Sequence, residues 1–261
     1  MSGPSFLEAR GVSLEVRSVG QSPPGSPIIV LLHEGLGSVS QWKDFPERLC
    51  HRTGLGVFAY SRRGYGASAP VPAEARPVSF MHDEAIALPE LLDAERLGPV
   101  VLVGHSDGAS IALLYAAADG GERVRSVVTL APHLFVEDVT VTNIAAIAEA
   151  WHKTDLRARL ARHHGANVDG AFLGWSKVWL SPDFRSWNIE EEVARVSVPV
   201  LVIQGEDDEY GTLAQVEALR RRAAGAVETL VLTKCGHAPH REKSEATLEA
   251  IAAFLEKGRV S

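Results

Sequence analysis

The chain of 261 residues has little of what would mark it as secreted, disulfide-bonded or membrane-spanning. Its two cysteines, Cys50 and Cys235, make neither the paired spacing of a metal site nor a disulfide framework. Its apolar runs are all shorter than the roughly 18 residues that a membrane-spanning helix needs. Residues 1–10 lack the charged start and apolar stretch of a signal peptide. These absences predict a cytoplasmic protein with reduced thiols and no membrane partner.

Negative charge outweighs positive charge. Lysine and arginine number 26 against 33 aspartates and glutamates, which gives a formal net charge of −7 at pH 7. Because an acidic surface without a basic tract repels phosphate groups, we exclude nucleic acid and anionic lipid surfaces as partners and expect a small-molecule substrate. The length suits one large domain, or a core with an insertion. None of these features carries a signal for the oligomeric state.

Short apolar runs alternate with stretches of helical spacing along most of the chain. An alternating pattern predicts an early edge strand over 12–19, and the continuous run at 28–32 is typical of a strand buried on both faces. Further strands are predicted over 55–60, 100–103, 124–130, 198–203 and 227–232, and helices over 80–97, 213–223 and 244–257. This order predicts an α/β fold with a mostly parallel central sheet and helices on both faces. Functional residues of such sheets lie at the carboxyl ends of the strands.

The segment 132–188 breaks this alternation. It shows helical spacing without a clear buried strand, and it carries Trp175, Trp179 and Trp187. Because it is inserted between two strands of the predicted sheet, we expect it to cover the carboxyl edge as a helical lid. The sequence therefore predicts a core formed by 1–131 and 189–261, and a lid formed by 132–188.

The most informative motif is the pentapeptide Gly104-His105-Ser106-Asp107-Gly108, which stands between a predicted strand and a helix-like stretch. A serine at the apex of such a sharp turn is held in a strained conformation, so only small residues fit two positions to either side. The turn raises the hydroxyl above the end of the sheet, beside a helix N-terminus whose N–H groups favour negative charge. Ser106 is therefore the predicted nucleophile.

A serine hydroxyl needs a base to take its proton and a carboxylate to orient that base. The loop after the next-to-last strand offers four carboxylates, of which we favour Asp208 as the acid and keep Asp207 as the rival. The loop after the last strand offers His237, which follows a glycine, with His240 as the competitor. The sequence thus predicts Ser106, Asp208 and His237 as a catalytic triad.

Negative charge that develops on a substrate oxygen should be met by preorganised backbone N–H groups. One predicted donor is the N–H of Asp107, directly after the nucleophile. The other should come from the glycine-rich loop after the strand at 28–32. There we favour the N–H of Gly35 and leave Glu34 and Leu36 open. The two N–H groups would form an oxyanion hole.

These motifs together resemble those of the α/β-hydrolase superfamily, in the family's order and over nearly the whole chain. They are His33 with its loop, Arg62-Arg63-Gly64-Tyr65-Gly66-Ala67-Ser68, the serine elbow, Gly205-x-x-Asp208, and Gly236-His237 with Glu242 following. The resemblance implies the α/β-hydrolase fold with a helical lid insertion, and it maps the family's triad onto the serine, aspartate and histidine already favoured. It does not specify the substrate.

Two positions depart from the family pattern. Glu34 stands where the family usually has glycine, which leaves the second oxyanion donor open and puts a carboxylate near the pocket. Ser61 stands before Arg62 where the family often has an aspartate, and we assign this stretch no chemistry.

We predict a serine hydrolase that cleaves a carboxylic ester or lactone through an acyl-enzyme. The resemblance leaves open hydrolysis of a carbon–carbon bond in a vinylogous diketone, or of an enol-lactone, in aromatic catabolism. Cofactor-free dioxygenases, perhydrolases and small-molecule receptors on the same fold are further alternatives.

Three residues are predicted to contact the substrate: Glu34 in the loop after the strand at 28–32, His133 after a strand end, and Trp175 in the lid. Packing is the competing role for His133 and for the lid tryptophan. No cofactor and no metal are expected. The lid histidines His152, His163 and His164 have no carboxylate at a clear ligand spacing.

Overall fold

A computed structural model describes residues 5–9, 11–71, 74 and 76–260, apart from the side chains of residues 259 and 260. The described strands are β1 (Ser5–Ala9), β2 (Val12–Val19), β3 (Ile28–Leu32), β4 (Val57–Tyr60), β5 (Val100–His105), β6 (Val124–Leu130), β7 (Val200–Gly205) and β8 (Val227–Leu232). The described α-helices are α1 (Phe45–Thr53), α2 (Phe80–Ala94), α3 (Asp107–Asp119), α4 (Asp138–Lys153), α5 (Leu156–His164), α6 (Val168–Trp179), α7 (Glu190–Val193), α8 (Leu213–Arg222), α9 (Pro239–Glu242) and α10 (Ser244–Val260). Short 3-10 helices cover Val39–Trp42, Gly165–Asn167 and Pro182–Ser186.

The described strands form one sheet in the order β1-β2-β4-β3-β5-β6-β7-β8. The pairs β1–β2 and β2–β4 are antiparallel, and the other pairs are parallel. The predicted fold class, a mostly parallel sheet surrounded by helices, is confirmed. The prediction that 12–19 is an edge strand is wrong, because β1 pairs along the outer side of β2. The exposed, short β1 carries too weak an apolar pattern to be predicted.

The central strands are covered on both faces, as their continuous apolar runs predict. In β3, Val30 and Leu32 face one hydrophobic cluster, whereas Ile29 and Leu31 face the other. Helices α2 and α3 contribute to the first cluster, and α1 and α10 to the second. Because successive side chains of a strand point to opposite faces, a strand that is covered on both faces tends to be apolar along its length, as β3 is.

The register of the parallel strands brings their carboxyl ends to one edge of the sheet. Leu32 of β3 lies opposite Gly104 of β5. His105 lies opposite Leu130 of β6, and Leu130 lies opposite Ile203 of β7. The loops that follow these strands therefore meet at one edge, where chemistry is expected in sheets of this kind.

The chain between β6 and β7 contains helices α4, α5 and α6. Phe135 and Asn188 form an isolated antiparallel bridge, so this segment leaves and returns to the sheet at one place. The rings of Trp151 in α4 and Phe172 in α6 stack with their centroids 3.9 Å apart, which ties these two helices together. The helical character of this segment agrees with its sequence pattern, and the division into core and lid stays a prediction.

The length and apolarity of the helices test whether the chain could span a membrane. Within the described part of the chain, no helix is long and apolar enough to cross a membrane. The expectation that residues 1–10 form no signal peptide falls partly outside the described residues. The cytoplasmic location stays a prediction.

Replacement of Gly108 by alanine tests how tightly α3 packs on the sheet. A Cβ at this position would collide with the backbone carbonyl oxygens of Leu32 and His33, which have little room to move. We expect Gly108→Ala to lower the free energy of unfolding in urea by about 1–3 kcal/mol, the usual cost of overpacking. The matched control is Gly98→Ala, because a Cβ on the exposed Gly98 meets nothing within 4 Å. Equal stability of the two variants would contradict this packing.

Candidate active site

The predicted nucleophile lies at the turn between β5 and α3. Ser106 has φ 53° and ψ −121°, a left-handed conformation that is strained for a residue with a side chain. Its N–H donates to the carbonyl of Leu130 at 2.9 Å, which fixes the turn against β6. A Cβ on Gly104 would collide with the backbone of Gly108, so the two glycines permit the close strand-to-helix contact that holds the turn. The predicted elbow is thus present in the backbone.

His237 is oriented by Asp208. The Nδ1 atom of His237 lies 2.9 Å from both carboxylate oxygens of Asp208. Because a carboxylate only accepts hydrogen bonds, Nδ1 carries the proton in the neutral ring, and Nε2 is left with its lone pair. This is the tautomer that a base needs in order to take a proton from a hydroxyl.

The carboxylate of Asp208 is held by several donors. It accepts from the Nε2 of Gln204 at 2.7 Å and from the backbone N–H of Tyr210 at 2.8 Å. Burial would raise the pKa of Asp208, but the hydrogen bond and charge of His237 outweigh burial and keep the pKa below its ordinary value. Asp208 therefore stays ionised beside the ring. Its rival Asp207 is exposed and donates its backbone N–H to Cys235.

The competing histidine lies elsewhere. His240 is buried against the rings of Trp42 and Phe45, with centroid separations of 4.9 Å and 5.5 Å. Burial lowers the pKa of His240 well below its ordinary value, so the ring is neutral. His240 is not among the residues that line the cavity of Ser106.

A cavity of about 270 Å³ joins the predicted residues. Ser106, Asp107, His133 and His237 line it near the sheet edge, and α4 and α6 also contribute lining residues, which are Thr140, Ile144, Ile147, Trp175 and Trp179. No hydrogen bond joins the Ser106 hydroxyl to His237 among the described residues, although both groups face this space. Such contacts are often long before a substrate is bound. The volume lies near the lower limit of small-molecule sites, roughly 300–1,000 Å³, and favours a compact ligand.

Arg62, for which the sequence predicts no chemical role, anchors the backbone of the loop after β3. Its guanidinium donates to the carbonyls of His33 at 2.5 Å and Glu34 at 3.0 Å. The ring of His33 completes the anchor, because its Nδ1 donates to the Glu34 carbonyl at 2.7 Å and its Nε2 accepts the N–H of Arg62 at 3.0 Å. These bonds hold the backbone of the loop where Gly35 lines the cavity.

Glu34, predicted to contact the substrate, also contacts the end of β5 and helix α9. One carboxylate oxygen lies 3.5 Å from Nδ1 of His105, and the other lies 3.3 Å from Arg241. Burial would raise the pKa of Glu34, but the contact with His105 and the charge of Arg241 keep the pKa well below its ordinary value. His105 in turn donates from Nε2 to the carbonyl of His237 at 2.7 Å. The carboxylate that replaces glycine thus connects the loop after β3 to the loop that carries His237.

The helical insertion is attached to the same loop by its histidines. His164 accepts the N–H of Gly66 at Nδ1 and donates from Nε2 to the carbonyl of Leu36, each at 3.0 Å. His163 contacts the hydroxyl of Ser40 at 2.8 Å, and Asn167 donates to the Ser68 carbonyl at 2.7 Å. These two histidines therefore tie the corner between α5 and α6 to the core. No group of three or more histidine, cysteine or acidic side chains among the described residues is placed to hold a metal ion.

The two other predicted contact residues both line the cavity. His133 is buried, its ring centroid lies 5.6 Å from that of His237, and burial lowers its pKa to about 3. The indole nitrogen of Trp175 lies directly over Gly35, in the space that a Cβ on Gly35 would occupy. Both positions suit contact with a ligand.

Sequence reasoning missed His105, Gln204 and Arg241, although each acts next to a predicted residue. His105 is visible inside the serine motif, but its contacts with Glu34 and with the His237 carbonyl join chain segments more than 70 residues apart. No local pattern could reveal them. Glu209, in the acidic loop after β7, accepts the backbone N–H of His237 at 3.2 Å.

Comparison with known proteins agrees with this geometry. The model of the alpha/beta hydrolase family matches residues 29–250, from β3 into α10. The chain therefore belongs to the alpha/beta hydrolase family.

The individual proteins to which the chain is similar share 30% sequence identity with it or less. The chain is 30% identical to mouse protein phosphatase methylesterase 1 over 101 residues, which are 39% of this chain and 26% of that protein. It is similar to the structure of a membrane phospholipase A, with a TM-score of 0.78 and 20% identity over 99% of this chain and 87% of that chain. It is also similar to the enol-lactonase from Burkholderia xenovorans LB400, with a TM-score of 0.75 and 21% identity over 97% and 100% of the two chains. At these identities the structural likeness shows the fold.

Replacement of Glu34 by glutamine tests the connection between the loops. The change keeps the shape and removes the charge that faces His105 and Arg241, so we expect a loss of about 1–3 kcal/mol in the free energy of unfolding at pH 7. Because the pKa of Glu34 is depressed in the folded protein, this advantage of the wild type should shrink as the pH falls below 4.5.

The control is Glu47→Gln, which removes an exposed partner of Arg17 and should cost at most about 1 kcal/mol. Urea unfolding at several pH values measures both variants. A Glu34→Gln protein as stable as the control at pH 7 would contradict the connection.

Proposed function

We propose that this member of the alpha/beta hydrolase family is a serine hydrolase that cleaves a carboxylic ester or a lactone. The observation that carries the proposal is the pairing of His237 with the buried, ionised Asp208 at the edge of the cavity that Ser106 lines. A hydroxyl, a base and an orienting carboxylate are the parts that acyl transfer requires.

In the proposed reaction, Nε2 of His237 takes the proton of the Ser106 hydroxyl while the oxygen bonds to the substrate carbonyl carbon. The carbonyl electron pair moves to its oxygen and gives a tetrahedral oxyanion. This intermediate collapses, and the leaving alcohol takes the proton from the imidazolium. Water then attacks the acyl-enzyme with His237 again as the base, which releases the acid and restores the serine hydroxyl.

The oxyanion is proposed to bind the backbone N–H groups of Asp107 and Gly35. Asp107 is the first residue of α3, and the first N–H groups of a helix have no acceptor within the helix. Gly35 stands in the loop that Arg62 and His33 anchor, so its backbone is held in place before the substrate binds. Preorganised donors of this kind stabilise developing charge without rearranging during the reaction.

The names of the relatives support this class of bond. Methylesterases and phospholipases cleave esters, and an enol-lactonase cleaves a lactone. An enol-lactone remains a second candidate substrate, because it is a cyclic ester that the same serine chemistry would open. We also propose that 132–188 acts as a lid, since α4 and α6 contribute residues to the lining of the cavity.

Replacement of Ser106 by alanine tests the nucleophile. The variant should hydrolyse p-nitrophenyl acetate at least about 1,000-fold more slowly than the wild type, because it lacks the oxygen that attacks the carbonyl. The control is Ser126→Ala in β6, a buried serine outside the cavity, which should keep the wild-type rate. A Ser106→Ala protein with near wild-type turnover would refute the proposal.

A further inference from the structure

Four imidazole rings cluster near the carboxyl edge of the sheet. The ring centroid of His105 lies 5.1 Å from that of His237 and 4.8 Å from that of His240, and the centroid of His133 lies 5.6 Å from that of His237. The proposed reaction uses His237 as the base. It gives no task to His105, the ring that directly precedes the nucleophile in the chain.

His105 ties the turn of the nucleophile to the loop of the base. It stands next to Ser106, and its Nε2 lies 2.7 Å from the backbone carbonyl oxygen of His237. Because a carbonyl oxygen only accepts hydrogen bonds, Nε2 must carry a proton and donate it. His105 is 2% exposed, so solvent does not compete for this bond. One shielded hydrogen bond therefore joins the neighbour of the nucleophile to the residue that activates it.

The other ring nitrogen of His105 faces the carboxylate of Glu34. Nδ1 lies 3.5 Å from Oε2 of Glu34. Burial would raise the pKa of Glu34, but the contact with His105 and the charge of Arg241 keep the pKa well below its ordinary value, so the carboxylate is ionised. A neutral ring with its proton on Nε2 would turn the lone pair of Nδ1 toward this negative oxygen, which is repulsive. The contact is attractive only when Nδ1 also carries a proton.

The groups around this pair leave the positive charge to His105. Arg241 of α9 lies 3.3 Å from the other oxygen of Glu34, so the two carboxylate oxygens face Arg241 and His105 separately. The neighbouring rings of His133 and His240 are neutral, because burial lowers their pKa values. A buried charge persists in a protein when it is paired, and Glu34 provides the pairing. The surroundings therefore favour an imidazolium with one N–H toward the carboxylate and one toward the carbonyl.

We propose that His105 is a positioning residue for the catalytic base, held as an imidazolium between Glu34 and the carbonyl of His237. The inference rests on the proposed function, in which His237 takes the proton of Ser106. Asp208 orients the ring of this base, whereas His105 fixes its backbone relative to the turn that carries the serine. Because small displacements of reacting groups lower rates steeply, the bond from His105 should matter more for turnover than for substrate binding.

Replacement of His105 by phenylalanine keeps a planar ring and removes both N–H groups. We expect kcat for p-nitrophenyl acetate to fall about 10- to 100-fold while KM stays within about threefold of the wild-type value. The matched control is His240→Phe. It changes a neighbouring buried imidazole whose two ring nitrogens have no hydrogen-bond partner among the described residues, and it should keep kcat within about twofold.

Titration of the reactive serine with a fluorophosphonate separates positioning from unfolding. At the end point, His105→Phe should still bind about one equivalent per chain, because a displaced base slows labelling without removing the serine. His105→Gln is a milder change, since its amide N–H can donate to the carbonyl of His237 but carries no charge. Its kcat should lie between those of the wild type and His105→Phe, at least about threefold below the wild type. It carries the comparison if the phenylalanine variant fails to fold.

Nitrogen-15 NMR of the histidine-labelled protein at pH 7 detects the proton on each ring nitrogen. The signals of His105 are those that the His105 variants lack, and we expect both of its nitrogens to be protonated in the wild type. In Glu34→Gln the charge that holds the second proton is gone and the amide can donate to Nδ1, so one nitrogen should lose its proton. Glu47→Gln, which changes an exposed partner of Arg17, should leave these signals unchanged.

The outcomes separate this inference from the proposed function. Near wild-type kcat in the His105 variants, or an equal loss in His240→Phe, would overturn the positioning role while leaving ester hydrolysis in place. A rise in KM with unchanged kcat would overturn it in favour of a substrate contact. A bare nitrogen on His105 in the wild type would overturn the imidazolium. Absence of turnover by the wild type would overturn the proposed function and this inference together.

Discussion

The left-handed backbone of Ser106 is the constraint on which the rest of the site depends. It turns the chain from β5 into α3 within one residue, so the hydroxyl, the first N–H of the helix and the Asp107 side chain all lie at the same edge of the sheet. The strain is tolerated because Gly104 and Gly108 let the helix approach the strands, and because β6 accepts the N–H of the serine. A side chain at either glycine would move every group that follows.

A second feature couples the loops around this turn. Glu34 connects to His105, and His105 connects to the backbone of His237, so the loop after β3 and the loop after β8 share one buried network. Arg62 anchors the loop after β3 by a hydrogen bond to the carbonyl of His33. The loops that carry Gly35 and His237 are therefore held in place by contacts among residues other than the proposed reacting groups. Such support is what keeps reacting groups in register while the substrate binds.

The sequence predicted the sheet because its central strands are continuous apolar runs between glycine-rich turns, a pattern that depends only on local burial. It also predicted which loops would meet, because parallel strands place their carboxyl ends together. It predicted no partner for Glu34 and no role for Arg62, since those contacts depend on the distance between loops that are far apart in the chain. The prediction that β2 lies at the edge was wrong because its outer neighbour β1 is a short, largely exposed strand whose own apolar pattern is weak.

The central claim is that His237, oriented by Asp208, activates Ser106. The most direct measurement is the rate at which a fluorophosphonate labels the protein, with mass spectrometry to locate the adduct. The account predicts one adduct on Ser106, formed about 100- to 10,000-fold more slowly in Asp208→Asn and at the wild-type rate in Asp207→Asn, whose carboxylate is exposed. Labelling elsewhere, or equal rates in the two variants, would contradict it.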